Sequence, residues 1–169
     1  MEMPEKNSTL DRLFRHMAWA NANLLTALQG LPKDSYQLSL PHDDWTVGAI
    51  TEHLVRAAGG YAGALDGVPA DDESNVPSAA GDFTEMIARC ARFDERLRVA
   101  STFAEGKVTR IRDGVQISRA RSTVLAQSIH HATEHRAQIA SILSLHQVPG
   151  VDLDELDLWV FGDAEGLGN

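Results

Sequence analysis

Cysteine is nearly absent: Cys90 stands alone in 169 residues, so no intramolecular disulfide can form and a reducing cytoplasm is the expected setting. Long apolar runs are missing too. No stretch nears the roughly 20 residues that span a bilayer, and the opening Met-Glu-Met-Pro-Glu-Lys-Asn-Ser lacks the basic-then-apolar order of a secretory signal. Basic residues are scarce, with 15 Lys and Arg against 24 Asp and Glu and a net charge of -9. That balance argues against a nucleic-acid partner, which needs a concentrated basic face, and leaves a small molecule as the expected one. There is no internal repeat. The length and an apolar content of 43% suit a single domain over residues 1–169 with a real core.

What is present is helical periodicity. Leu10, Leu13, Met17, Leu24 and Leu28 predict a first helix from about Ser8 to Gln29, stopped by Gly30 and Pro32. Thr46 is a good N-cap for a second helix carrying Val47, Ile50, Leu54, Ala57, Tyr61 and Leu65 inward, ended by Gly67 and Pro69. The stretch from Val68 to Gly81 has no periodicity and reads as a long loop. Phe83, Met86, Ile87, Cys90, Phe93 and Leu97 predict a third helix from about Asp82 to Ala100. Alternating residues around Asp113-Gly114 predict a short β-hairpin. A fourth helix should run from near Ser122 to about His146, broken by Pro149 and Gly150, before a short fifth helix containing Leu156, Trp159, Val160 and Phe161. The expected fold is therefore all-α, a four-helix bundle with a hairpin between helices three and four and a short C-terminal helix.

The chemistry is expected on the fourth helix. His131 and His135 lie four residues apart and so share one helical face, where both imidazoles can reach one ion. His53 on the second helix would supply a third nitrogen, the ligand number of a catalytic metal site that keeps positions open. A single helix histidine more often caps a carbonyl or hydrogen-bonds inside a packed bundle; the pair and the third histidine together weigh against that reading.

Three segments sharpen the picture: Leu-Phe-Arg-His-Met-Ala-Trp-Ala-Asn in the first helix, Trp-Thr-Val-Gly-Ala-Ile-Thr-Glu-His-Leu leading into the second, and His-Ala-Thr-Glu-His-Arg-Ala-Gln-Ile in the fourth. With the closing Leu-Asp-Leu-Trp-Val-Phe-Gly, they resemble the DinB/YfiT-like metalloenzyme family over nearly the whole chain. The resemblance implies a four-helix bundle in which His53, His131 and His135 bind a divalent metal, often nickel or zinc. It also implies either hydrolytic or thiol-dependent chemistry, with the thiol-dependent kind ranked first because relatives include S-transferases that use bacillithiol or mycothiol and a thiol-dependent maleylpyruvate isomerase. Many relatives are homodimers, and a homodimer is expected here.

Neutral imidazoles leave the charge of a divalent ion uncompensated, so a thiol or water held there is acidified. Thiol-dependent transfer to a small electrophile ranks first, with a low-molecular-weight thiol as cosubstrate. The alternatives are metal-dependent hydrolysis and metal or ligand binding without catalysis. His16, beside Leu13 and Met17, is the candidate catalytic residue, as a proton carrier next to the cavity. His130 reads as a rim residue sharing a face with Glu134, and His42 and His146 as surface positions. Cys90 falls in the core register, where a thiol packs rather than reacts. Trp19, Trp45 and Trp159 read as packing, with a pocket wall as the other role open to them.

Overall fold

The computed structural model describes residues 8–69, 83–112 and 114–167. Its frame is four helices, α1 (Thr9–Gln29), α2 (Val47–Asp66), α3 (Phe83–Ala100) and α4 (Arg121–Leu145). Strands β1 (Lys107–Arg112) and β2 (Val115–Ala120) form an antiparallel hairpin between α3 and α4, and a short α5 (Leu158–Ala164) follows. The expected bundle, hairpin and last helix are all present. The helices pack in the ring order α1, α3, α2, α4, and the α1–α4 side is the loosest.

Local chemistry sets the boundaries. The Ser8 side chain accepts a hydrogen bond from the Asp11 amide at 3.2 Å, and Thr46 Oγ1 accepts from the Ala49 amide at 3.1 Å, so both helices begin on side-chain caps. Gly67 ends α2 at φ 76°, in the left-handed region that favours glycine. Arg112 pairs with Val115, the last pair before the hairpin reverses, and Gly114 sits at φ 75°, in the region that favours glycine. The α4 helix starts at Arg121, one residue before its expected Ser122. Of the expected loop from Val68 to Gly81, only Val68 and Pro69 lie within the described residues.

The buried face of α1 differs from the expected stripe. Leu10 is 37% exposed and Leu13 half-buried, whereas Phe14, Met17, Asn21, Leu24, Leu25 and Leu28 are buried. The steps through Phe14, Met17, Asn21, Leu24 and Leu28 are three, four, three and four residues, an unbroken helical seam flanked by Leu25. A count of apolar residues misses it because Asn21 sits in the middle. On α2, Ala57 and Tyr61 are only half-buried, and Val55, Ala58 and Ala62 complete the core. The 3-10 turns at Lys33–Gln37 and Asp154–Leu156 were not foreseen.

Asn21 belongs to a polar chain through the bundle centre. Arg136 Nη1 donates to Asn21 Oδ1 at 2.7 Å, and Asn21 Nδ2 donates to Asp94 Oδ2 at 3.0 Å. All three residues are buried. Burial pushes Asp94 up to about 6 and Arg136 down to about 10, and Asp94 Oδ1 has no hydrogen-bond partner.

Candidate metal centre

The cap at Thr46 fixes where α2 starts, and two helical turns later α2 presents His53 towards α4. There His131 and His135 stand one turn apart on a single face. His53 Nε2 lies 3.1 Å from His131 Nε2, and His135 Nε2 lies 3.0 Å from the same atom. One ligand nitrogen from each of the three lies within 4.8 Å of the others. Nitrogen ligands around a tetrahedral ion with bonds of 2.0–2.1 Å sit about 3.3 Å apart, so a modest spreading of the rings would seat an ion.

The donor chemistry fits as well. His135 Nδ1 is 2.6 Å from Gln138 Oε1, one turn along α4. A carbonyl oxygen only accepts, so that nitrogen carries the proton and Nε2 keeps its lone pair for the centre. Burial, helped by the neighbouring imidazoles, holds His131 down to about 4 and lowers His53. At neutral pH those two rings are therefore uncharged, the form in which imidazole ligates a metal.

Two aromatic side chains wall the cluster. Trp45 contacts His53 edge-on at 5.0 Å between ring centroids and stacks on His135 at 5.8 Å. Tyr61 meets His131 at 5.5 Å. His53 and His131 open onto a cleft of about 780 Å³ whose lining includes Arg56, Tyr61 and Arg110. The arrangement joins three imidazole nitrogen donors, a fixed tautomer at His135 and access from one side.

The family model that describes the DinB family matches residues 3–158. The chain belongs to the DinB family. No curated protein and no solved structure matches it. Within this DinB-family chain, the three histidines named from the sequence are the ones brought together.

The other histidines do different work. His16 Nε2 donates to the Leu156 carbonyl at 2.9 Å, and its ring packs against Trp19 and Phe161. Burial lowers its pKa. It thus clasps the C-terminal segment to α1 and is outside the three-histidine group. His146 Nε2 donates to the Ser39 carbonyl at 2.9 Å, and His42 and His130 are exposed. Cys90 is buried, and burial pushes its thiol well up. Sequence reasoning missed Gln138 and Tyr61 as neighbours of the site. Gln138 carried a usable signal, lying three residues after His135 on the same helical face; Tyr61 carried none beyond its place on α2.

Proposed function

We propose that this chain is a metal-dependent enzyme, with His53, His131 and His135 as the ligands of a nickel or zinc ion, that transfers a low-molecular-weight thiol to a small electrophile. The observation that carries the reading is the convergence of three Nε2 atoms, two of their separations being 3.0 and 3.1 Å, with His53 and His131 lining an open cleft. A divalent ion bound there would supply a Lewis acid that lowers the pKa of a thiol or water reaching it. The protein's own part is positional. Gln138 fixes the His135 tautomer, Trp45 and Tyr61 shield the rings from bulk water, and the cleft leaves room for two small reactants.

Thiol transfer ranks above hydrolysis for a chemical reason. Water is a far weaker acid than a thiol, so hydrolysis leans on a nearby general base. Among the described residues, no Asp or Glu lines the cleft. His16, the proton carrier that hydrolysis would use, spends Nε2 on the Leu156 carbonyl.

Elemental analysis of protein purified without chelator or nickel resin tests the reading, run beside His53→Ala. One equivalent of metal, lost in the variant, is expected. Electrophile consumption that needs an added thiol supports transfer, thiol-independent cleavage supports hydrolysis, and silence in both supports binding alone. Self-association is proposed as well, through the α5 face. Trp159 is 83% exposed there, and Leu158 and Leu167 border the same shallow groove beside α1.

A further inference from the structure

The cleft beside the histidines has a sign of charge opposite to that of the molecule. Five of the 15 cations, Lys107, Arg110, Arg112, Arg119 and Arg121, fall within residues 107–121, against the single acid Asp113. The chain as a whole carries -9. Val108 is buried, so strand alternation turns Val108 and Arg110, with their cross-strand partners Arg119 and Ile117, towards the bundle.

Most arginines elsewhere are engaged. Arg96 pairs with Asp66, Arg98 with Asp11 and Glu95, and Arg12 and Arg15 with Glu165. Arg56 and Arg110 differ. Among the described residues neither guanidinium makes a hydrogen bond or an ion pair, and both residues line the 780 Å³ cleft together with His53 and His131. Arg56 follows His53 by three residues on α2, hence on the same helical face. Two arginines from separate elements thus line one cleft, with no carboxylate in the described lining to neutralise them.

We propose that Arg56 and Arg110 anchor a small molecule through an oxyanion, a carboxylate or a phosphate, beside the three histidines. The inference rests on the cleft being the reactant site of the metal-dependent function above. Guanidinium binds either oxyanion through paired N–H donors, and a locally positive cleft on an acidic protein concentrates anions there. A recess of about 260 Å³ adjoins it at the hairpin, sharing Tyr61, Ala64, Thr109 and Arg110 with the cleft, with Val108, Ile117 and Val124 as an apolar patch beside the polar Arg119, Thr123 and Gln127. It gives an apolar arm of the anchored molecule a place to lie. The ligand class is thus an organic anion with a short apolar portion.

Calorimetric titration of zinc-loaded protein with succinate, glycerol 3-phosphate and the uncharged dimethyl succinate tests this, with zinc content measured on the same samples. Saturable binding of one anion and not of the diester is expected, weakened about tenfold in each of Arg56→Gln and Arg110→Gln with zinc unchanged, as for loss of one charge-assisted contact. Which anion binds tells carboxylate from phosphate. Absent binding, or binding that both variants leave intact, overturns the anchor while a full zinc content leaves the metal centre standing. Protein that takes up no zinc refutes the metal reading instead; repeating the titration without metal then decides the anchor by the same arginine dependence.

Discussion

At the scale of single residues, the metal centre is legible in outline and illegible in its supports. The pair His131 and His135 can be read because helical periodicity converts spacing into proximity, whereas His53, 78 residues away from His131, could be joined to them only by ligand number and its place on the second helix, which the family pattern then strengthened. Trp45 could be named only as a pocket wall among other roles, since its contact depends on how the segment before α2 folds over α4. Gln138 is the support with the clearest consequence. Gln138→Ala should weaken zinc binding about 10- to 100-fold, the usual cost of losing a group that orients a ligand. Competition against a chromophoric chelator measures this, and unchanged affinity would mean that His135 needs no orienting partner.

Asp94 makes a different prediction, away from the metal. Burial raises it from 3.8 to about 6, so between those values the folded chain keeps a proton that the unfolded chain has released. Stability contributed by that proton is present below the unfolded value and is lost as pH rises through the folded one. Asp94→Asn cannot ionise. Relative to that variant, the wild type should lose roughly 2 to 3 kcal/mol between pH 4 and 7, since each tenfold difference in proton affinity between the folded and unfolded chains is worth about 1.4 kcal/mol. Urea unfolding of both proteins across that range reads the difference directly; a flat difference would show that Asp94 is ionised throughout.

At the scale of elements, boundaries were more legible than faces. Caps and stops act locally, which is why Thr46, Gly67 and the Asp113-Gly114 turn mark the start of α2, its end and the hairpin in the sequence itself. The buried side of α1 follows instead from what it packs against. There a polar pair, Asn21 with Asp94, occupies core positions that apolar spacing passes over. Thr46 links element to site, because Trp45 precedes the cap and His53 rides on the helix it starts. Thr46→Ala should cost about 1 kcal/mol of stability, measured by urea unfolding, while the zinc stoichiometry stays at one. A loss of metal along with the cap would mean that the cap also holds the ligand geometry.

At the scale of the whole molecule, the tight sides of the ring bring α2 against α4 and so create the centre, and the loose α1–α4 side meets the C-terminal segment. Among the described residues, that segment is held to α1 by the His16 bond to Leu156, by the pairs from Arg12 and Arg15 to Glu165, and by Phe161 packed on His16 and Trp19. This clasp leaves Trp159 facing outward. Sedimentation velocity at micromolar concentration should therefore give a dimer for the wild type and a monomer for Trp159→Glu, and a monomeric wild type would remove the proposed α5 interface. Nothing in a single sequence separates a core tryptophan from an interface one, since both follow the same helical spacing.

The position of Trp45 gives the molecule an optical property. Its indole touches two of the three histidines, while Trp19 contacts His16 and Phe161, and Trp159 is almost fully exposed on α5. Nickel or copper bound at the centre should quench the emission of Trp45 through its open d shell, whereas zinc, with a filled shell, should shift that emission without extinguishing it. The same titration on Trp45→Phe should be silent for either kind of ion, so the intrinsic fluorescence of the chain distinguishes an occupied site from an empty one and an open-shell metal from a closed-shell one.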